Sequence, residues 1–180
     1  MLYPLPQRLA VVLCLCGIAL SQSSGVWLDF PFIQQEKNGC GAAAIAMVID
    51  YWNHQQRHPQ TFPADVSAIQ QSLYSPQAHG IYSADLQRYF EKHGFRTFAF
   101  KGDWDLLREH LEKGRPLIVA LKPQKGETSL HYVVVAGLDW NSAVLLINDP
   151  AQRKLLKVER RRFQKEWQAV HRWTLLAVPR

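Results

Sequence analysis

Cysteine is scarce in this chain, with three in 180 residues. Cys14 and Cys16 lie in an N-terminal apolar run, so Cys40 stands alone in the remainder. A lone thiol excludes an internal disulfide framework and offers no compact set of metal ligands. The glycine-rich phosphate loop of nucleotide-binding proteins is missing. So is the alternation of aromatic and basic residues used by single-strand nucleic-acid binders. There is no internal repeat, linker or low-complexity tract. Apolar residues make up 47% and charged residues 20%, which excludes disorder by composition.

Long hydrophobic runs are also lacking. The longest, Leu9–Leu20, has twelve residues, short of the roughly 20 that a spanning helix needs. Met1 to Arg8 carries one positive charge and no acid, and Ala19-Leu20-Ser21 supplies small residues where a signal peptidase reads. This is the plan of a secretory signal. The expectation is a removed signal at residues 1–21 and one catalytic domain at 22–180. The protein is then exported to a bacterial periplasm or the extracellular medium, with no stable membrane span after signal removal. A retained membrane anchor is the alternative. Leucine before Cys14 and before Cys16 argues against lipid attachment there.

The formal charge is +6. Its main cluster is Arg160-Arg161-Arg162, near Arg153, Lys154 and Lys157. Such a run reads first as the wet face of a helix, and second as an attractor of anionic surfaces or acidic peptides.

Residues 22–28 read as an exposed lead-in, and Asp29 to Ile33 as extended chain ahead of and around Pro31. Gly39-Cys40-Gly41 is read as a turn. Ala42 to Trp52 is apolar all round at its start, so it predicts a buried central helix. His54 to Pro63 and Ser75 to Gly80 read as loops. Helices are expected at 64–73, at 83–93 with Ser83 as N-cap, at 103–113 and at 163–169. Strands are expected at 95–100, 116–121, 132–138, 143–147, 155–158 and 174–178. Asp139 to Ser142 reads as a hairpin turn. Helices dominate the first half and strands the second, an α+β arrangement.

Cys40 carries the chemistry. The thiolate is the nucleophile, and the unpaired N–H groups of a helix's first turn favour negative charge. Gly39 and Gly41 are expected to let the chain turn sharply and leave the sulfur accessible. The competing reading is a buried, inert core thiol. His131 follows a loop and opens a run of valines. At the mouth of a buried strand it can take the proton of Cys40 and later protonate a leaving group. The other histidines read as structural or solvated. Asp149 ends the next strand and can orient the imidazole. The hairpin register sets His131 opposite residues near 149–150. Asn148 is the competing orienter, and strand alternation allows only one of the two to serve. Gln34 or Gln35 can combine with the Cys40 backbone N–H to hold a developing oxyanion. Spacing alone does not choose between them.

Together these residues resemble a known family. Pro31-Phe32-Ile33-Gln34-Gln35, then Cys40-Gly41-Ala42-Ala43 and Met47-Val48, are similar to the N-terminal motif of the C39-like peptidases. These are papain-like cysteine peptidases related to the bacteriocin-processing domains of certain ABC transporters. His131-Tyr132-Val133-Val134-Val135-Ala136-Gly137 resembles their histidine strand, and Asn148-Asp149-Pro150 their aspartate motif. The resemblance runs from about Phe30 to the C-terminal strand. It implies a papain-like α+β fold, with N-terminal helices packed on a C-terminal antiparallel sheet. It also implies Cys40 as nucleophile, His131 as base, Asp149 as orienter and a glutamine as oxyanion donor. Papain-type spacing favours Gln34, whereas the Pro-Phe-x-x-Gln pattern of soluble members favours Gln35, which is adopted here. The sequence departs from the family at Gly39, where transporter-linked members carry an acid, and at Ala42, where many soluble members have proline.

The expected function is thus a cysteine peptidase without cofactor or metal, acting on a peptide or protein substrate. A separately encoded transporter is a possible partner, and no nucleic acid is expected. Two other readings compete: an amidase or acyltransferase using the same thioester, and a catalytically idle peptide-binding module.

Overall fold

The computed structural model describes residues 25–29, 31–55, 62–122 and 130–180. The segment read as a signal, including Cys14 and Cys16, lies outside them. So do Phe30, residues 56–61 of the first expected loop and residues 123–129 ahead of His131. In chain order the elements are β1 (Gly25–Trp27), α1 (Cys40–Gln55), α2 (Val66–Leu73), α3 (Ser83–Lys92), β2 (Phe95–Lys101), α4 (Trp104–Glu112), β3 (Leu117–Leu121), β4 (His131–Asp139), β5 (Val144–Asp149), β6 (Arg153–Glu159), α5 (Arg160–Gln168) and β7 (Trp173–Pro179). No helix among the described residues is long and apolar enough to cross a membrane.

The strands form one antiparallel sheet in the order β2-β7-β3-β4-β5-β6, with β1 paired to β4 off this path. Side chains alternate across a strand, and the apolar residues divide accordingly. Ile118, Ala120, Tyr132, Val134, Leu175 and Ala177 face one core with the buried length of α1, Ile69 of α2 and Leu86 and Phe90 of α3. Leu117, Val119, Leu121, Val133, Val135 and Leu176 face the other, against Leu107 and Leu111 of α4 and Phe163 and Trp167 of α5. The expected α+β class holds, and helices cover both faces of the sheet. This is why β3 and most of β4 read as unbroken apolar runs rather than alternating ones.

Local chemistry explains most element boundaries. Asp65 caps α2 by accepting from Ser67 N and Ala68 N, and Asp103 caps α4 by accepting from Leu106 N. The expected cap at Ser83 is displaced by one residue. Tyr82 occupies the N-cap of α3, with no side-chain hydrogen bond, and Ser83 is the first helical residue. Asp139 Oδ1 accepts from Asn141 N and Ser142 N at 3.0 and 3.1 Å, closing the β4–β5 turn. The presumed lead-in instead contains β1, whose pairs run from Gly25↔Asp139 to Trp27↔Gly137. Three residues are too few to show a strand period, and the pairing partner supplies the strand. β6 is an edge strand with Arg153, Lys154 and Lys157 exposed along it, charge that blunts edge-to-edge pairing.

Candidate active site

Helix α1 begins at Cys40 itself, two residues earlier than the sequence suggests. Its first backbone bond runs from Ala43 N to Gly39 O at 3.0 Å. Cys40 therefore sits in the first turn, at the end of the helix that favours negative charge. No acidic residue shares that turn. The helix is buried from Cys40 to Ile49, and Cys40 is 8% exposed.

The flanking glycines do not act as expected. Neither has a positive φ. The left-handed residue is Asn38, at φ 58°. A Cβ on Gly41 would stand 3.1 Å from the Ile81 side chain, and one on Gly39 would stand 3.1 Å from Glu36 O. These glycines allow close packing of the loops around the sulfur, and Asn38 makes the turn.

His131 opens β4 on the face shared with Leu121, its partner on β3. Its Nε2 and Asp149 Oδ1 lie 2.8 Å apart, and its side chain lines the cleft together with Cys40. With Nε2 taken up by Asp149, Nδ1 is the nitrogen available to the thiol. Cys40 Sγ also lies 3.7 Å from Leu130 O, as donor. Burial works against a charge on His131, but hydrogen bonds to Asp149 and Cys40, and their charges, outweigh it. The imidazolium is favoured up to a pKa of about 10.

Asp149 is 3% exposed. Its Oδ1 also accepts from Ala151 N at 2.9 Å, and its Oδ2 accepts from Gln152 Nε2 at 2.5 Å. Burial opposes its charge, yet the His131 bond and charge, with the Ala151 and Gln152 bonds, hold it below the usual carboxylate range. Sequence reasoning passed over Gln152. The signal was present, since an aspartate followed by proline often opens a side-chain-bonded turn.

The expected pairing of His131 with residues near 149–150 does not form: the β4–β5 ladder stops at Val134↔Asn148 and carries a β-bulge. Pairs run Asp139↔Val144 to Gly137↔Leu146, then shift by one to Val135↔Ile147 and Val134↔Asn148. Asp149 lies beyond the last pair and reaches His131 diagonally. Asn148 points to the α1 side. It is fully buried, with Oδ1 accepting from Leu155 N at 2.9 Å and Nδ2 3.9 Å from Met47 Sδ. It supports the β5–β6 turn and does not touch His131.

The two glutamines separate in the same way. Gln34 is exposed. Gln35 is half-buried and lines the cleft with Cys40, His131 and Asp149. Its backbone N donates to Pro150 O at 3.0 Å, tying this segment to the aspartate turn. Its Oε1 is buried without a hydrogen-bond partner.

The cleft measures about 320 Å³. Leu121, Ile147, Leu156 and Val158 form its apolar floor, and Arg162 and Glu166 of α5 stand at one wall. His79, read from sequence as structural or solvated, lines the opposite side. The basic run divides in the structure. Arg160 stacks over the Trp104 ring at 4.6 Å, while Arg162 pairs with Glu166 at 3.1 Å. Among the described residues no cluster of three or more His, Cys, Asp or Glu could hold a metal ion. His54 and His58 are four residues apart, but His54 Nδ1 bonds Asp50 O at 2.7 Å and His58 lies outside the described residues.

A thiol, an imidazole and a carboxylate lining one cleft are the groups that nucleophilic attack on an acyl carbon requires. Comparison with known proteins agrees in kind. The profile of the Peptidase C39 like family matches residues 27–174. The transport/processing ATP-binding protein ComA of Streptococcus pneumoniae is 32% identical over 146 residues, 81% of this chain. This chain spans only 18% of that relative's length. Two solved structures share the fold. The peptidase domain of Streptococcus ComA, described as a bi-functional ABC transporter of a quorum-sensing pathway, gives a TM-score of 0.65 at 24% identity, covering 84% of this chain and 100% of that one. A C39-like peptidase of Bacillus anthracis gives 0.66 at 17% identity, covering 87% and 98%.

Proposed function

We propose a mechanism and a setting for this chain, which belongs to the Peptidase C39 like family and is a cysteine peptidase. Cys40 is the nucleophile, His131 the general acid and base, and Asp149 the orienting carboxylate. The observation that carries this is the 2.8 Å His131–Asp149 hydrogen bond in a cleft that Cys40, His131 and Asp149 line together.

His131 takes the thiol proton, and the thiolate attacks the peptide carbonyl carbon. A C–S bond forms and the carbonyl electrons move onto oxygen. The Gln35 side-chain amide and the Cys40 backbone N–H hold that oxyanion. Collapse breaks the C–N bond, and His131 passes its proton to the leaving amine. His131 then takes a proton from water, whose oxygen attacks the thioester. The C–S bond breaks and the proton returns to sulfur.

The substrate is a peptide, and the apolar run at Leu9–Leu20 supports action outside the cytoplasm. A separately encoded transporter is the partner suggested by the ComA relative, whose name joins transport to processing.

The test is the rate of Cys40 alkylation by iodoacetamide against pH, for wild type and His131→Ala. The expected result is fast alkylation persisting below about pH 8, where a free thiol is mostly protonated, and its loss in the variant. Slow alkylation with a free-thiol profile in both proteins overturns the mechanism.

Gln152→Glu gives a second prediction. It replaces the donor at Asp149 Oδ2 with a like charge, which raises the aspartate's pKa. The acid limb of the alkylation profile is expected to move up by about one pH unit. Superimposable profiles would show that Gln152 does not influence the carboxylate.

A further inference from the structure

Beside the catalytic cleft lies a second hollow, of about 670 Å³, lined by Lys37, Gln70 and Tyr74 among others. Asn38 and His79 line both, so they form a saddle between the two. Both hold left-handed backbones, φ 58° and 48°. Such conformations cost of order 1–3 kcal/mol each and persist where the surroundings enforce them. Here the neighbours do so. Asn38 Nδ2 donates to Tyr74 Oη at 3.4 Å, Gln70 Nε2 reaches Asn38 O at 3.5 Å, and Ser75 and Gly80 pair backbone to backbone beneath His79.

The hollow's chemistry is one-sided. Among the described residues no carboxylate lines it, and Lys37 brings an exposed ammonium. Gln70 Oε1 is buried with no hydrogen-bond partner, as Gln35 Oε1 is in the cleft. An unsatisfied buried acceptor is costly and calls for an N–H donor. Two glutamine side chains, one lining each of two adjoining hollows, suit a ligand that carries hydrogen-bonding groups along its length. An extended peptide is that ligand.

We infer that the peptide substrate crosses the Asn38–His79 saddle and lays its flanking segment in the second hollow. There the Gln70 side chain meets the peptide main chain and Lys37 meets an acidic side chain. The site selects substrates by an acidic residue at one position away from the cleaved bond. This inference rests on the peptidase reading, and the test separates the two.

The probe is a positional-scanning library of quenched-fluorescent decapeptides, each pool fixing Glu or Lys at one position on either side of the cleaved bond. Wild type, Lys37→Met and Lys37→Glu are compared, with Cys40 alkylation as a control on the folded site. Lys37 is exposed, so both variants keep the core. One position is expected to favour Glu over Lys by about fivefold, the scale of one exposed ion pair. Lys37→Met should lose that preference and Lys37→Glu should reverse it. A wild-type preference that survives Lys37→Glu, or no charge preference at any position, overturns the inference. Pools left wholly uncut by a protein whose Cys40 alkylates slowly remove the peptidase reading first, and the hollow's role with it.

Discussion

Replacing Cys40 with alanine is expected to lower peptide hydrolysis by a factor on the order of 10⁵. Among the described residues that line the cleft, Cys40 is the one thiol. The fold should survive. The sulfur's hydrogen bond is to Leu130 O at 3.7 Å, and although Cys40 is buried with the α1 core, truncation to alanine removes a single heavy atom. Alanine is also the best helix former and suits a first-turn position. A stability loss of about 1 kcal/mol or less is expected by urea denaturation. Turnover close to that of the wild type would place the nucleophile elsewhere. An unfolded variant would assign Cys40 to the core.

The second large effect concerns the pair behind the thiol. His131→Ala is expected to reduce kcat by about 10³-fold and Asp149→Ala by less, because the aspartate acts only through the imidazole. The pH profile separates the roles. His131 is raised from 6.5 to about 10, so the imidazolium, and with it the alkaline limb of kcat/KM, should persist to about pH 10. Asp149→Asn removes one of the charges that raises it, so the limb should fall toward the ordinary histidine range. A limb unmoved by that substitution, or a greater loss in Asp149→Ala than in His131→Ala, would refute the assignment.

The same pair makes a stability prediction through linkage. A histidine with raised pKa contributes stability that is full below 6.5 and lost as pH rises through about 10. A carboxylate with lowered pKa contributes stability present above 3.8 and lost as pH falls through its folded value. The pair's contribution should therefore peak between those ordinary values. Comparing urea midpoints of wild type and Asp149→Asn across pH measures it.

Much of this was legible in the chain. Cys40 before three alanines marks a buried helix start, because small apolar residues on all sides leave that helix no wet face. His131 before consecutive valines marks a strand mouth, and apolar alternation with turn residues marks the hairpins. These are local signals, a few residues long, and the elements they specify appear within three residues of expectation.

Other features depended on contacts between distant segments. β1 exists because β4 offers it a partner, and the glycines beside Cys40 are explained by Ile81 and Glu36. Gln35 rather than Gln34 enters the cleft, its segment tied by its backbone to Pro150. The choice between Asn148 and Asp149 turned on one residue. Continued without the bulge, the register set by Asp139↔Val144 would place Asp149 opposite Val134 and turn it toward α1. The bulge between Val135 and Gly137 slips the pairing by one, and a one-residue slip exchanges the two faces of a strand. The sequence alone determined which residue types stand at the helix start and at the strand mouth. The tertiary structure decided which carboxylate, which glutamine and which neighbouring hollow they meet, because side-chain facing depends on register and loop contacts that no local pattern encodes.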